Sequence, residues 1–465
     1  MSESSYFDKL AIGRNKWISK NKYYYRFIEK VVRFFVDDES SVLEVGCGTG
    51  NLIDSLNNRV KVGIDFSREM VRIAKKGGSR KNFFVFDIEK KTIKKRFDWI
   101  LAVNLVGYLN DIYLAFNKIK LNCNPQTRVL VVYYNHLWEP LLKLAEKMGM
   151  RSPQPEQNWL GISDLKNIFD LLGFEVIRVD FKILFPIDVP LLSSFTNNFL
   201  ASLPIVRNFS LTQIMILRLK ETKRKDYSVS IIVPARNEEK NISRLVRLMP
   251  RFGKKQEIVF VEGHSKDKTW DEIQRASRIS TNRLSIRAFR QKGIGKADAV
   301  RLGFEKAKGK LLMILDADLT VMPIELVKFY EAMATGKGEF INGSRLIYPM
   351  EKQAMRFLNK IGNKLFSLAF TFILGQPFKD TLCGTKVILK RDYERIARAR
   401  KYFGEFDPFG DFDLIFGAVK QSLKIVEVPV RYGERTYGST NISRFRHGLL
   451  LFKMTWFAFI KLMFV

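Results

Sequence analysis

The sequence predicts an α/β protein of two domains. Three observations carry that reading. In the first half, "SSVLEVGCGTGNLIDSL" (40–56) runs a short apolar strand into three glycines and then a helical pattern. In the second half, "GKLLMILDADLTVMP" (309–323) runs a buried strand into Asp316 and Asp318. Between them the charged stretch "KETKRKDYS" (220–228) breaks the pattern. The predicted boundaries are 1–220 for the first domain, 221–228 for a linker, 229–448 for the second domain and 449–465 for a terminal amphipathic helix.

Bulk properties narrow the class. A chain of 465 residues fits two or three domains of roughly 100–200 residues each. An apolar share of 46% without low-complexity runs is globular. Cys47, Cys123 and Cys383 are too scattered for a disulfide framework or a zinc site, which fits a reducing compartment. The opening "MSESSYFDKLAIGRNKW" lacks the apolar centre of a signal peptide. No run of 18 uncharged apolar residues predicts a membrane span. The net charge is +31, with 33 basic against 22 acidic residues in 1–220 and 46 against 26 beyond. Such an excess fits nucleic acid or an anionic membrane surface, and charge alone does not choose.

In the first domain, Val42 to Val45 form a strand that meets Gly46, Gly48 and Gly50. Glycine permits a tight turn and close approach to a ligand. The G-x-G-x-G spacing is not the dinucleotide G-x-G-x-x-G. "VKVGIDFSREMV" gives a second strand ending in Asp65, "NFFVFDIE" a third ending in Asp87, and "FDWILAVNLVGYL" a fourth ending near Asn104. Strands ending in acids, with helices between, describe an open parallel sheet with a ligand at its carboxyl edge. "YYNHLWE" (133–139) puts Tyr133, Tyr134, Asn135 and His136 at the cleft edge, where His136 is a general base or polar surface. "RSPQPEQNWLG" (151–161) reads as a loop over the cleft. A helix over Leu191–Ala201 and a strand over Thr212–Leu219 would finish the sheet.

"VLEVGCGTG", "GIDFS" and "FDIE" resemble the class I S-adenosylmethionine-dependent methyltransferases, a Rossmann-like fold, over roughly 1–220. The resemblance implies a cofactor site. Gly46, Gly48 and Gly50 would approach the amino-acid part of S-adenosylmethionine, Asp65 the ribose hydroxyls and Asp87 the adenine amino group. Glu44 would orient the loop or the ammonium end, and Asn104 completes the set. No Asn-Pro-Pro-Tyr signature stands at "NLVGYL" (104–109), so the acceptor atom is not named.

The second domain repeats the plan. Val229 to Val233 form a strand, Pro234 stops it, and Arg236, Asn237 and Glu238 start a helix. "QEIVFVEGHSKDKTWDEI" adds a strand ending at Glu262, "GKADAVRLGFEKAKG" a helix, and "KLLMILDADLT" the strand of the two aspartates. A parallel sheet would gather Glu238, Glu262, Asp316 and Asp318 at one edge. Like charges so close call for a cation between them, unless they are simply a solvated turn.

"VPARNEE", "VEGHSKDKT" and "DADLT" resemble family-2 glycosyltransferases of GT-A fold, over about 228–448, and above all the dolichyl- and polyprenyl-phosphate sugar transferases. That implies inverting transfer from a UDP- or GDP-sugar to a polyprenyl phosphate with Mg²⁺ or Mn²⁺ on Asp316 and Asp318, Asp318 being the main ligand. Glu262 and Gly263 replace two aspartates of the family, which leaves the base open. The donor side would comprise Pro234, Arg236, Glu238, Glu262, Lys296, Asp316 and Arg435. "GSR" would turn Arg345 to the acceptor phosphate, with Arg356 and Lys360 adding to an anion-binding cradle. Asp380, in "DTLCGTK", would orient the acceptor or tune the charge nearby.

"FGDFDLIFGAVK" places Asp411 and Asp413 where the family carries an acidic catalytic motif, and a hydroxyl acceptor would make Asp411 the base. In "RYGERTYGSTNISRFR", Arg435 would close on the diphosphate; Asn441 stands where lysine is usual, with Arg444 to compensate. "LFSLAFTFIL" (365–374) is too short to span a membrane and reads equally as core or interface. Lys453 and Lys461 interrupt the apolar end, which reads as an interfacial helix. The expected enzyme is bifunctional and peripheral on the cytosolic face of a membrane, with no nucleic-acid partner. The alternative is a glycan-hydroxyl acceptor with Asp411 as base and a first domain that binds or methylates RNA or does no catalysis.

Overall fold

The structure, a computed structural model, describes residues 3–77, 82–221, 223–279, 284–345, 357–400, 411–433, 435, 437 and 444–463. It divides into two compact units, Met1–Lys220 with Met463–Val465, and Glu221–Leu462.

The first unit opens with helices Glu3–Lys20 and Lys22–Phe35. The second turns Ile28, Val31, Val32 and Phe35 inward at helical spacing. Seven strands come next: β1 (Val42–Val45), β2 (Lys61–Asp65), β3 (Phe83–Val85), β4 (Phe97–Val103), β5 (Cys123–Tyr134), β6 (Phe174–Lys182) and β7 (Thr212–Leu219). They lie in the order β3-β2-β1-β4-β5-β7-β6. β1 is buried at every position, as a strand covered on both faces must be. The expected open parallel sheet needs correction, because β7 inserts antiparallel between β5 and β6. A continuously buried strand such as Thr212–Leu219 carries no mark of its direction. The expected helix over Leu191–Ala201 is a run of short helical turns of different pitch from Leu192 to Ser202.

The second unit holds β8 (Val229–Ala235), β9 (Gln256–Glu262), β10 (Leu284–Arg290), β11 (Leu311–Ile314), β12 (Phe340–Ser344), β13 (Lys386–Leu389) and β14 (Ile425–Pro429). Their order is β10-β9-β8-β11-β13-β12-β14. This sheet too is mixed rather than parallel, since β13 runs antiparallel to both β11 and β12. Its core gathers Ile231, Val233, Ile258, Phe260, Leu311 and Met313 from the central strands. In both units the order of strands reverses beside the first strand, between β1 and β4 and between β8 and β11. Such a reversal opens a crevice at the carboxyl ends of the two strands, where ligands of open α/β sheets bind.

Candidate active sites

The first crevice is walled by the loop after β1. Gly46, Gly48 and Gly50 all have positive φ (74°, 53° and 81°). A side chain at Gly50 would also meet the Phe83 ring at 2.7 Å, so that position admits only glycine. Glu44 lies buried under the loop and accepts from the Ile53 amide at 3.1 Å. Burial raises its carboxyl to about 8, although the Ile53 amide opposes the shift. Ile53 belongs to the short helix Asn51–Ser55 that follows the glycine loop.

Asp65 is buried as well. Its Oδ2 accepts from the Gly48 amide at 2.8 Å and its Oδ1 from the Ser67 amide at 2.9 Å. Each oxygen keeps a further lone pair for a ligand. Asp87 accepts from the Glu89 amide at 3.0 Å and pairs with Lys90 at 2.9 Å. Asn104 has φ 53° and accepts from the Tyr24 hydroxyl at 2.9 Å. His136 is exposed on a short turn, while Tyr133 is buried. The 151–161 segment is fastened to the loop after β4: Tyr108 donates to Gln154 at 2.5 Å, and the Asn158 amide to Gly107 at 2.9 Å.

The sequence reading missed the part played by helix Glu3–Lys20, which crosses this glycine loop. Asn15 accepts from Thr49 at 2.8 Å and from Asn51 at 3.1 Å. Asp8 accepts from the Ser67 hydroxyl at 2.5 Å. Arg14 Nε stands 3.2 Å from where a Gly48 side chain would begin. Phe7 packs edge-on to Phe66 and Tyr108. The polar residues on an otherwise ordinary amphipathic stretch were the available signal.

In the second crevice the carboxylates face cations. Asp316 pairs with Lys296 at 2.6 Å, and Asp318 with Arg435 at 2.5 Å. Asp318 Oδ1 also accepts from Thr320, through its amide at 3.1 Å and hydroxyl at 2.8 Å. Burial alone would raise the Asp316 carboxyl; Lys296, with Lys386 and Arg345 nearby, more than offsets it and holds it below its ordinary range. Gly384 lies directly against this pair, and a side chain there would press on Asp316 Oδ2 and Lys296 Nζ.

Glu238 is buried, accepts from Asn241 at 2.6 Å, and is raised by burial against the pull of Asn241 and Arg435. Pro234 is half-buried in β8, and Arg236 is exposed. Glu262 accepts from the Ser265 amide at 2.5 Å and faces Arg290 at 3.7 Å. Arg290 in turn lies over the Trp270 ring at 4.2 Å.

Arg345 is held by Asp380 in a two-armed pair, Nε and Nη2 each at 2.8 Å, and its own amide donates to the same carboxylate at 2.9 Å. Asp380 is almost fully buried. Burial would raise it, yet Arg345 keeps it below the ordinary carboxylate range. The Asp380 contact is therefore with Arg345 itself. Asp413 is buried against Arg400 at 2.8 Å and Arg301 at 3.6 Å, an ion-pair cluster of its own. Asp411 begins helix Asp411–Lys420. Arg356 and Asn441 lie outside the described residues, and the side chains of Lys360, Asp411 and Arg444 do as well. Among the described residues no three acidic, histidine or cysteine groups cluster as a metal site, and no helix is long and apolar enough to cross a membrane.

Two family profiles match. The methyltransferase domain covers residues 20–179 and glycosyl transferase family 2 covers 230–397. Both resemblances drawn from the sequence are borne out by them. A dolichol-phosphate mannosyltransferase from Pyrococcus furiosus is 29% identical over 219 residues, 46% of this chain and 59% of its own length. An undecaprenyl-phosphate 4-deoxy-4-formamido-L-arabinose transferase from Edwardsiella ictaluri is 24% identical over 218 residues, covering 46% of this chain and 62% of its own length. This chain thus spans about three-fifths of each of those two relatives. A crystal structure of a SAM-dependent methyltransferase from Thermotoga maritima aligns at 15% identity with TM-score 0.37, over 46% of this chain and 97% of that one.

Proposed function

We propose that this chain, which joins a methyltransferase domain to a family 2 glycosyltransferase domain, transfers a sugar from a nucleotide diphosphate to a polyprenyl phosphate through its second domain. The observation that carries the reading is the Arg345–Asp380 pair. A buried carboxylate grips one edge of the guanidinium and fixes the plane of the fork. A fixed guanidinium suits a phosphate acceptor better than a sugar hydroxyl. The names of the two relatives, each of which acts with a lipid phosphate, support the same acceptor class.

The acceptor oxygen is already anionic, so it attacks the anomeric carbon without a base. The bond to the diphosphate oxygen breaks, the nucleoside diphosphate leaves, and one displacement inverts the centre. Lys296 and Arg435 balance Asp316 and Asp318 in the ligand-free site and turn to diphosphate oxygens when the donor arrives. Asp316 and Asp318, whose hard carboxylate oxygens suit Mg²⁺ or Mn²⁺, would hold the ion. When bound, the ion neutralises charge on the leaving group.

The first domain transfers a methyl group. The donor set fits S-adenosylmethionine: a left-handed glycine cradle, with Asp65 fixed at its side by two amides. Bound there, the cofactor supplies an electrophilic methyl. The Gly46–Gly50 loop and Asp65 orient it, and Asn104 borders the path to the acceptor. The helix Arg444–Met463 exposes Phe452, Trp456 and Ile460 at four-residue spacing, which supports a peripheral seat on the anionic cytosolic membrane surface.

The test incubates the protein with undecaprenyl phosphate, UDP- and GDP-sugars and Mg²⁺ or Mn²⁺, and reads lipids by mass spectrometry. A hexosyl phospholipid that is lost in Asp318→Ala is expected. Metal-dependent nucleotide release without a lipid product would overturn the acceptor and return the choice to a glycan hydroxyl.

A further inference from the structure

The first unit contains a cavity of about 380 Å³ beside Asn104 and Tyr134, at the carboxyl edge of its sheet. That volume lies within the roughly 300–1,000 Å³ of small-molecule sites. Most of its wall is aliphatic or aromatic, with Leu141, Leu144, Met148, Phe185 and Ile187 among the lining residues. The polar groups of the wall include Asn21, Asn104 and Gln154, so the cavity offers an apolar side and a polar side.

The charged side chains lining this cavity are two, Arg14 and Arg151, with no acid among the lining residues. Arg14 stands against Gly48. Arg151 lies over the Tyr134 ring at 5.1 Å and is steadied by Glu146 and by Gln157 at 3.2 Å. Both arginines have Tyr134 as a neighbour, and Arg14 is the one set against the glycine loop. Burial pushes the nearby Tyr24, Tyr25 and Tyr108 hydroxyls up, so they remain neutral donors.

The rim continues the apolar wall outward. Leu141, Leu144, Met148 and Ile187 are each about half exposed although they line the cavity. Ile187 begins a segment that exposes Leu191 (88%), Phe195, Phe199, Ile205 (76%) and Phe209. Its far end is tied to the cavity wall, with Trp138 Nε1 donating to Phe209 O at 2.7 Å. An exposed apolar surface continuous with an apolar cavity marks a route for an apolar chain rather than a packing defect.

We infer that the methyl acceptor of the first domain is an anionic lipid: a phosphate-bearing head between Arg14 and Arg151 near the cofactor, with an isoprenoid-type chain along the Leu144–Met148–Ile187 wall. The inference rests on the reading of this domain as a methyltransferase and narrows its substrate class. In the transfer, a head-group hydroxyl oxygen bonds to the methyl carbon as the carbon–sulfur bond breaks. The sulfonium becomes a thioether and the hydroxyl proton passes to water. A glycosyl phospholipid made by the second domain has the required chain, phosphate and hydroxyls.

The test uses the full chain and a diazirine-tagged farnesyl phosphate, with sites of labelling mapped by mass spectrometry. Calorimetry with S-adenosylhomocysteine runs alongside. Labelling within 137–150 and 185–192 is expected. It should fall at least tenfold in Leu144→Glu, a half-exposed position that tolerates charge, while S-adenosylhomocysteine binding stays unchanged. Arg151→Gln should weaken labelling by the phosphate and leave the uncharged farnesol analogue unaffected. Labelling confined to the second domain, with S-adenosylhomocysteine still bound, overturns the lipid acceptor. Equal labelling by farnesol and farnesyl phosphate overturns the anionic head. Labelling at the cavity without any S-adenosylhomocysteine binding overturns the methyltransferase reading and leaves a lipid site.

Discussion

At the edge of the first sheet, Glu44 accepts from the Ile53 amide of the helix that follows the glycine loop, and Asp65 from the amides of Gly48 and Ser67. At the edge of the second, Asp316 and Asp318 direct their oxygens to Lys296 and Arg435. Burial therefore acts differently on the two. It raises Glu44 and Asp65, whose amide partners oppose it only in part. It is overcome at Asp316 by cations. The first edge recognises by shape and amide direction, which suits a ligand of little net charge. The second stores matched charges that can be re-paired, which suits a diphosphate. The same topological position has been furnished for two chemistries.

Removing a stored charge should have the largest effect. Asp318→Ala is expected to lower sugar transfer about a thousandfold, in line with loss of a preorganised charged group, and to leave S-adenosylhomocysteine affinity within twofold by calorimetry. A fall in both would break the comparison, since the two edges would then be coupled. Next, Arg345→Lys should cost about 10- to 100-fold in kcat/KM for the lipid phosphate, because lysine cannot reproduce the two-armed contact with Asp380. Equal activity of the lysine variant would reduce Arg345 to a generic positive charge.

Acidity sharpens the comparison in a different way. Glu44 titrates near 8 when folded and near 4.5 when unfolded, so between those values the folded state holds the extra proton. Its contribution to stability is present below about pH 4.5 and falls as pH rises toward 8. Glu44→Gln keeps an acceptor for the Ile53 amide and should flatten that slope in thermal melts of the first domain's transition. Asp380 has the opposite sign. Its folded carboxyl is depressed, so its contribution is present above the unfolded value of 3.8 and is lost as pH falls through the folded one. A slope unchanged by Glu44→Gln would assign the first domain's pH response to other groups. The smallest effect is expected at the helix over the loop. Asn15→Ala removes an exposed acceptor for Thr49 and Asn51. It should weaken S-adenosylhomocysteine binding about two- to tenfold, the range of a net hydrogen bond.

Strands that end at a ligand were legible in the sequence because they combine a local apolar run with a local stop: Val42–Val45 into Gly46, Leu311–Ile314 into Asp316. Features set by distant pairing were not legible. The direction of β7 and β13 depends on which neighbours they meet, and a buried run reads the same both ways. Nor could spacing show that Asp380 grips Arg345, 35 residues away, rather than an acceptor. The cavity escaped for the same reason. Its wall joins residues near 10–25, 104–108, 134–154, 185–187 and 211; the 133–139 and 151–161 stretches pointed to a cleft, but nothing local pointed to the helix residues 10–25 or to 185–187. The exposed apolar side chains of 187–209 were visible as letters, but their exposure was not.

The helix that carries Asp8, Arg14 and Asn15 leaves a kinetic signature. Its contacts with Thr49, Asn51 and Ser67 tie the opening of the first few turns of the chain to the freedom of the glycine loop. A ligand that stiffens the loop must also slow the fraying of that helix. Slower amide exchange at Leu10–Trp17 is then the expected response to S-adenosylhomocysteine, read by hydrogen exchange.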